Sequence, residues 1–143
     1  MNNYLSNTEM ASLVEAIKQA ENQSTGEIRV HIDSTSVDNN AKVAFDVFKK
    51  LGMYQTKERN AVLFHVNFEK KYLTIIGDKG IHEKVHQKFW NDLHDKITQA
   101  FSEGKYYQGL HDAILETGME LKNFFPIKDG ENPNELSNEI TFS

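Results

Sequence analysis

The sequence of 143 residues contains no cysteine and only two prolines. The lack of cysteine excludes disulfide bonds, thiolate nucleophiles and the sulfur-rich sites that hold structural zinc or iron-sulfur clusters. No apolar run approaches the ~20 residues that a membrane-spanning helix requires, so we expect no membrane insertion. The first residues show no basic segment followed by an apolar one, and the sequence therefore predicts a cytoplasmic protein without a signal peptide.

Positive charge is also scarce. The chain carries 16 basic and 21 acidic residues, for a net charge of -5 at pH 7. Nucleic-acid-binding proteins normally carry a basic stripe, and none is visible, so no nucleic-acid partner is expected. The length suits one domain, which we place at residues 1–126. Residues 127–143 are polar and acidic, and we expect them to form a loosely ordered tail.

The hydrophobic periodicity predicts the element order helix, strand, helix, strand, strand, helix, helix. Ser6 and Glu9 have the spacing of a capping box, which marks the start of the first helix. Residues 27–33 then alternate between apolar and polar, as in a strand near a sheet edge with one polar-lined face. The next helix has Asp38 as its expected cap and ends just before Gly52.

The second half of the chain begins with two strands. Residues 61–68 are apolar on both faces, which is typical of a central strand, and residues 71–77 follow after a short polar connection. The two are expected to form an antiparallel hairpin. A long helix from Ile81 aligns Val85, Phe89, Leu93, Ile97 and Phe101, and a last helix runs from about Tyr106 to Phe124.

This order predicts a three-layer α/β/α sandwich around a small mixed sheet, with four main helices. The strand-helix-strand crossover makes the first two strands parallel, and the hairpin reverses the third. The start of the first strand, the start of the second and the end of the third therefore lie at one edge. That edge brings together Glu27, Arg59, Asn60, Gly77 and Asp78.

Oxygen atoms of Glu27, Asn60 and Asp78 at this edge suit a hard divalent cation such as Ca²⁺, Mg²⁺ or Mn²⁺. The third helix starts after Gly80, and its free N–H groups could hold a phosphate. The alternative is purely structural. Asp78 would then cap the helix, Gly77 and Gly80 would supply backbone freedom, and Glu27 would pair with an arginine.

Two further groups of side chains admit a functional or a structural interpretation. His82 and His86 have the i, i+4 spacing that can bind zinc on a helix, but zinc also needs a third ligand. A solvated helix face is the simpler interpretation. Tyr106 and Tyr107 could border a ligand site or serve only in helix packing.

Several motifs in this order resemble the TPM domain family, over about residues 8–126. They are STGEIRVHI from Ser24, FKKLGMYQTKERNAVLFHV from Phe48, IIGDKGI from Ile75, and Trp90. The last is the segment that begins with FSEGKYYQGLHDAI at Phe101 and ends with FFP at Pro126. The resemblance implies an α/β/α sandwich, acid phosphatase activity and divalent-cation binding. The family motifs fall on Thr25, Gly26 and Glu27, on Arg59 and Asn60, and on Gly77, Asp78, Gly80 and Ile81.

The chain departs from the family pattern at Ala61, where a glycine usually follows the asparagine. Many relatives also carry a signal peptide and a membrane anchor, whereas this chain shows neither. It could therefore act beside a membrane-associated partner.

Two functions follow from these residues. In the first, Glu27 and Asp78 hold a divalent ion, Asn60 completes its shell, and Arg59 neutralises the phosphate of a phosphomonoester that is hydrolysed. In the second, the same residues form a non-catalytic module that binds calcium or recognises a protein partner.

Overall fold

A computed structural model describes residues 4–35, 40–127 and 136–143. The predicted cap Asp38 and residues 128–135 of the expected tail lie outside the described residues. The described helices are α1 (Asn7–Glu21), α2 (Asn40–Lys50), α3 (Lys79–Lys84), α4 (Gln87–Ser102) and α5 (Tyr106–Phe124), with a 3-10 turn at Met53–Gln55. The strands are β1 (Glu27–Ile32), β2 (Ala61–Asn67), β3 (Tyr72–Gly77) and β4 (Thr141–Phe142).

The strands form one mixed sheet in the order β3-β2-β1-β4. β1 and β2 are parallel, with Glu27 opposite Ala61 and His31 opposite His65. β2 and β3 are antiparallel, with Val62 opposite Gly77. The predicted crossover and hairpin are thus confirmed. The hairpin turn places Lys71 at a φ of 57°, a left-handed conformation uncommon outside glycine and asparagine.

Helices cover both faces of the sheet, which confirms the α/β/α sandwich. The larger core lies between one face and the helices α1, α4 and α5, where Ile28, Val30 and Phe64 meet Leu13 and Leu110. Complete burial of a side chain such as Phe64 contributes about 1.5–3 kcal/mol. The smaller core lies on the opposite face, where Phe48 of α2 packs with Met53, Ala61 and Leu63.

The prediction of one long helix from Ile81 is wrong, because this segment forms two helices, α3 and α4. Val85 has φ -103° and ψ 132°, and His86 has φ -66° and ψ 144°, so both residues are extended. Val85, Leu93, Ile97 and Phe101 are buried as predicted, and one position of the stripe differs. Trp90 enters the core in place of Phe89, which is only partly buried.

β1 is more enclosed than its alternating sequence predicts. All six of its residues are buried, including Glu27, Arg29 and His31 on the polar face. Beside the carboxyl end of β1 lies β4, which pairs with His31 and Ile32 and comes from the segment expected to be a loosely ordered tail.

The start of α1 follows its prediction, because Ser6 and Glu9 form the capping box. None of the described helices has both the length and the hydrophobicity needed to cross a membrane.

Candidate functional site

The predicted sheet edge brings together Glu27 of β1, Ala61 of β2 and Asp78, which follows the end of β3. Glu27 pairs with Ala61 in β1 and β2, and the Asp78 N–H donates to the Ala61 carbonyl over 2.9 Å. Two strand spacings separate the backbones of Glu27 and Asp78, a distance of roughly 10 Å. The chain polarity inferred from sequence is therefore correct, and the contacts of each side chain decide what this edge can do.

Asp78 forms a two-point ion pair with Arg59. Arg59 Nε donates to Asp78 Oδ2 over 2.6 Å, and Arg59 Nη2 donates to Oδ1 over 2.9 Å. These hydrogen bonds, followed by the charge of Asp78, raise the pKa of Arg59. Arg59 has a φ of 53°, a strained conformation that persists only where surrounding contacts enforce it. The ion pair therefore fixes a guanidinium that remains 46% exposed.

The start of α3 explains the Gly-Asp-x-Gly motif. Asp78 is its N-cap, and Oδ1 accepts from the Lys79 N–H over 2.8 Å. The N–H groups of Gly80 and Ile81 donate to the Arg59 carbonyl, and that of His82 donates to the Asp78 carbonyl. The first-turn donors of α3 are therefore occupied, so the prediction that they are free for phosphate is wrong.

Close packing requires glycine at position 80 of this motif and leaves little space for a Cβ at Gly77. A Cβ on Gly80 would overlap the carbonyl oxygens of Glu58 and Arg59. A Cβ on Gly77 would lie 3.2 Å from Ile81 and 3.4 Å from Trp90. Their place beside the predicted ligand residues thus has a packing explanation.

Asn60 links the same edge to the Thr-Gly-Glu motif. Its Nδ2 donates to Thr25 Oγ1 over 3.0 Å, and its N–H donates to Thr56 Oγ1 over 3.3 Å. Asn60 Oδ1 is buried and accepts no hydrogen bond from the described residues. Gly26 packs against Leu121, which leaves no space for a Cβ there. The motif therefore docks the end of α5 against the sheet edge.

Glu27 belongs to a buried carboxyl pair with Glu21 from the end of α1. Burial, followed by the negative charge of Glu27, raises the pKa of Glu21 to about 9, and a hydrogen bond between the carboxyls adds to the shift. Glu21 Oε2 also accepts the Ile28 N–H over 2.8 Å at the open edge of β1. Burial lowers the pKa of Arg29, whereas the two carboxyls act to raise it.

The predicted cation ligands Glu27, Asn60 and Asp78 thus lie at one edge but have separate neighbours. Glu27 contacts a carboxyl from α1, and both Asp78 oxygens accept hydrogen bonds at Arg59 and Lys79. A hard cation fits the donor chemistry, which is all oxygen, and the buried Asn60 Oδ1 offers it an unused acceptor. Their role as a metal site stays a prediction.

A pocket opens beside the Arg59–Asp78 pair, which we call the Arg59 pocket. It has a volume of about 450 Å³ and is lined by Phe45, Phe48, Lys49, Tyr54, Arg59 and Asp78. Phe45 is 50% exposed, Tyr54 is 43% exposed, and Lys49 Nζ lies 5.0 Å from the centre of the Phe45 ring. The pocket thus combines two cations with two accessible aromatic rings. Its volume is that of small-molecule sites.

A cavity of similar volume, about 470 Å³, lies between α4 and α5. Lys96 and Glu116 both line it and form an ion pair of 2.8 Å. The predicted site residues Glu27, Arg59, Asn60 and Asp78 do not line this cavity, so we give it no role in ligand binding.

A second polar cluster lies at the opposite edge of the sheet and was not predicted. His31, His65 and Asp33 are buried at the carboxyl ends of β1 and β2, with one potential metal-ligand atom from each within 4.8 Å of the others. The sequence did carry a signal. His31 and Asp33 alternate on the polar face of the first strand, and His65 interrupts an apolar run.

The remaining candidates from the sequence have structural surroundings. His82 and His86 are exposed, and no third His, Asp or Glu joins them as a ligand group in the described part of the chain. Tyr106 packs against the rings of Tyr4, Phe68 and Phe101. Tyr107 shares a hydrogen bond of 2.7 Å with Ser12.

Comparisons with known proteins agree with this architecture. A family model described as TPM domain matches residues 1–120. The BA42 protein of the psychrophilic bacterium Bizionia argentinensis is 40% identical, with a TM-score of 0.91 over 100% of this chain and 98% of that one. No functionally curated protein matches the chain in sequence.

Two more distant structures share the fold. The N-terminal domain of a P. gingivalis protein is 16% identical, with a TM-score of 0.71 over 85% of this chain and 78% of that one. The N-terminal domain of a Corynebacterium glutamicum protein is 14% identical, with a TM-score of 0.63 over 82% and 74% of the two chains. At these identities the likeness concerns the fold alone.

Proposed function

This chain belongs to the TPM domain family, and from that premise we propose that it binds a phosphomonoester in the Arg59 pocket. The single observation that carries the proposal is the Arg59 guanidinium, which two hydrogen bonds to Asp78 hold at the pocket wall. A planar guanidinium that is 46% exposed and has N–H groups beyond those bonded to Asp78 is suited to phosphate oxygens. Lys49 supplies a second positive charge in the same pocket.

The rest of the pocket favours a ligand with an aromatic or apolar body. Phe45 and Tyr54 present exposed rings, and Phe48 forms part of the pocket wall. Ligand pockets are typically apolar with a few polar groups that orient the ligand. An aryl phosphate would place its ring against the aromatic side chains and its phosphate between Lys49 and Arg59.

Hydrolysis of this phosphomonoester is the metal-dependent form of the proposal. Glu27, Asn60 and Asp78 would hold Ca²⁺, Mg²⁺ or Mn²⁺, which lowers the pKa of a bound water. Arg59 would neutralise charge on the phosphate, and the apolar pocket wall would exclude bulk water. Asp78 would act as a ligand while its hydrogen bonds continue to position Arg59.

The binding test measures the affinity of the protein for 4-nitrophenyl phosphate by calorimetry, and amide chemical shifts locate the bound ligand. We expect Arg59→Gln and Lys49→Gln each to weaken binding about tenfold or more, because each removes a charge-assisted hydrogen bond of about 1.5–3 kcal/mol. The matched control is Lys96→Gln, which removes a cation at the other cavity and should leave affinity unchanged. Equal affinity in wild type and Arg59→Gln would contradict the proposed site.

The hydrolysis test uses purified wild type with each of the three cations and 4-nitrophenyl phosphate. Release of 4-nitrophenol that disappears in Arg59→Gln would support catalysis. If contaminant-free protein binds the phosphomonoester without turning it over, the domain is a binding module.

A non-catalytic module is the second candidate, and the contacts of Asp78 favour it. Both carboxylate oxygens accept hydrogen bonds that cap α3 and hold Arg59, so Asp78 has a complete structural role without any chemistry. Such a module would bind calcium or a protein partner, including a membrane-associated one. Bound calcium should raise the melting temperature by mass action, and Asp78→Asn should remove that rise. An unchanged wild-type melting temperature in calcium would exclude the calcium form.

A further inference from the structure

The cluster of His31, Asp33 and His65 lies where α/β sheets most often bind ligands. His31 and His65 are directly opposite each other near the carboxyl ends of the parallel strands β1 and β2. Asp33 follows β1, and its N–H continues the pairing by donating to the Val66 carbonyl over 2.8 Å. Open α/β sheets bind ligands preferentially beyond the carboxyl ends of their parallel strands. The Arg59 pocket lies at the opposite edge.

We propose that His31, Asp33 and His65 bind a divalent transition-metal ion of the zinc class. Register places both imidazoles on the same face of the sheet, with ring centres 5.4 Å apart and planes within 13° of parallel. Asp33 Oδ2 lies 3.2 Å from His65 Nε2. One nitrogen from each histidine and one Asp33 oxygen lie within 4.8 Å of one another. Small side-chain rotations would bring them to the roughly 3.3 Å separation of ligands around tetrahedral zinc.

A hydrogen-bonded Asp-His pair alone leaves one polar atom unexplained. His65 is completely buried, and its Nδ1 has no hydrogen-bond partner among the described residues. A buried, unsatisfied ring nitrogen costs free energy, so the hydrogen bond between Asp33 and His65 does not by itself account for this ring. A metal ion bound by Asp33 and the two rings would neutralise the Asp33 carboxylate, which is as deeply buried as the rings.

The protonation states suit metal coordination. Burial, followed by repulsion from His65, lowers the pKa of His31 to about 4, and Arg29 and Lys50 add to the shift. Burial also lowers the pKa of His65, although Asp33 opposes this effect. Burial thus favours the neutral form of both rings, and neutral imidazole is the form that coordinates metals.

The surroundings of the three ligands resemble an outer coordination shell. Asp33 Oδ1 accepts hydrogen bonds from the Thr35 N–H over 2.7 Å and from its hydroxyl over 2.5 Å, which leaves Oδ2 directed at His65. His31 shares hydrogen bonds of 2.7 Å with the hydroxyls of Thr141 and Ser143, one at each ring nitrogen. Coordination through one nitrogen of His31 would displace one of these hydroxyls, and the other would remain as the outer-shell partner that fixes ring orientation and tautomer.

The donor set determines the class of ion. Two imidazoles and one carboxylate suit Zn²⁺, Co²⁺ or Fe²⁺, whereas Ca²⁺ and Mg²⁺ prefer oxygen ligands throughout. Three protein ligands also leave a coordination position for water or a substrate. The site is therefore distinct in place and in chemistry from the hard-cation ligands Glu27, Asn60 and Asp78.

The first experiment titrates wild-type protein, freed of metal by EDTA and dialysed, with Zn²⁺ in a calorimeter and with Co²⁺ in a spectrophotometer. We expect one equivalent to bind, visible Co²⁺ absorption bands typical of low-coordinate geometry, and a higher melting temperature. Wild-type protein that binds neither ion would overturn the proposal.

Variants then locate the ion. We expect His31→Gln, His65→Gln and Asp33→Asn each to weaken Zn²⁺ binding by at least about a hundredfold, because each removes a ligand rather than an outer-shell partner. The matched controls His82→Gln and His86→Gln alter exposed histidines and should bind as the wild type does. Loss of binding in these controls, with binding retained in His65→Gln, would assign the ion to the surface.

A spectroscopic measurement on wild type covers the case in which a buried variant fails to fold. Long-range ¹H-¹⁵N spectra report each imidazole separately. One equivalent of Zn²⁺ should shift the nitrogen signals of His31 and His65 and leave those of His82 and His86 in place. The reverse pattern would overturn the proposal. Because 4-nitrophenyl phosphate binding is measured without zinc, failure of one proposal leaves the other unaffected.

Discussion

Arg59 Nε lies 2.6 Å from Asp78 Oδ2, and this contact joins the residue pair before β2 to the cap of α3. Asp78 is only 6% exposed, whereas Arg59 is 46% exposed. The carboxylate is thus the buried anchor, and the guanidinium is the accessible group. Asp78 thus caps α3 and also positions the Arg59 guanidinium, which we expect to bind phosphate.

These two roles of Asp78 can be separated by substitution. Asp78→Asn keeps an oxygen that can cap α3 but removes the charge that holds Arg59. Asp78→Ala removes both. We expect Asp78→Ala to be less stable than Asp78→Asn by about 1 kcal/mol, which is a typical N-cap contribution. Both variants should bind 4-nitrophenyl phosphate more weakly than the wild type, because Arg59 is no longer fixed at the pocket wall.

Urea unfolding measures the first effect and calorimetry the second. The exposed Lys88–Asp92 pair provides the control, since Asp92→Asn breaks an i,i+4 ion pair on α4 and should change neither quantity measurably. Equal stability of the two Asp78 variants would contradict the capping role.

The Gly80→Ala variant tests the close contact between α3 and the Arg59 carbonyl. Gly80 does not have a positive φ, so the cost comes from overlap of the new Cβ with the Glu58 and Arg59 carbonyls. We expect a loss of about 1–3 kcal/mol in urea unfolding. Ligand affinity should fall as well, because the overlap displaces Arg59.

Gly104→Ala is the contrasting variant. Gly104 has a φ of 75°, and no described atom lies within 4 Å of the position that an alanine methyl group would occupy. The cost of this substitution is therefore conformational only, about 1–2 kcal/mol. Gly104 does not line the Arg59 pocket, and its replacement should leave ligand affinity unchanged. A Gly80→Ala protein with unchanged ligand affinity would show that the α3 contact does not position Arg59.

Local sequence signals predicted those parts of the fold that depend on short-range chemistry. The capping box of Ser6 and Glu9 needs only a spacing of three residues, and the strand directions follow from the crossover and the hairpin. These directions were sufficient to bring Glu27 and Asp78 to one edge. The position of Asp78 before the helix also predicts a cap, and the structure confirms it.

The contacts missed from the sequence depend on long-range register or on chain reversals. A parallel pairing shifted by one residue would separate His31 from His65. Because β2 is buried on both faces, its nearly continuous apolar run does not determine that register. The Glu21–Glu27 pair requires the end of α1 to return beside β1. The break at Val85 interrupts a continuous apolar stripe, so the pattern alone favoured one helix.

The buried Glu21 carboxyl predicts a specific pH dependence of stability. Its pKa is raised from the ordinary 4.5 to about 9 in the folded state. The folded state therefore binds more protons than the unfolded chain between these values, and stability falls as pH rises from about 4.5 to 9. Glu21→Gln retains an acceptor for the Ile28 N–H and a donor for Glu27.

Thermal unfolding in EDTA at pH 5, 7 and 9 checks this expectation. Glu21→Gln should equal the wild type at pH 5 and exceed it increasingly at pH 7 and 9. Glu15→Gln, at an exposed position on the same helix, should follow the wild type throughout. Parallel curves for wild type and Glu21→Gln would show that Glu21 is not protonated in the folded protein.

The contact between β4 and β1 predicts a local change in amide exchange. The Ser143 N–H donates to the Ile32 carbonyl over 3.0 Å, and the Ser34 N–H donates to the Ser143 carbonyl over 2.8 Å. Removing residues 141–143 takes away the acceptor for Ser34, so its amide should exchange about three to ten times faster, as expected for one hydrogen bond. The neighbouring Asp33 amide bonds to Val66 in β2 and should keep its protection. Faster exchange at both amides would instead mean that β4 stabilises the whole end of the sheet, and unchanged exchange at Ser34 would contradict the pairing itself.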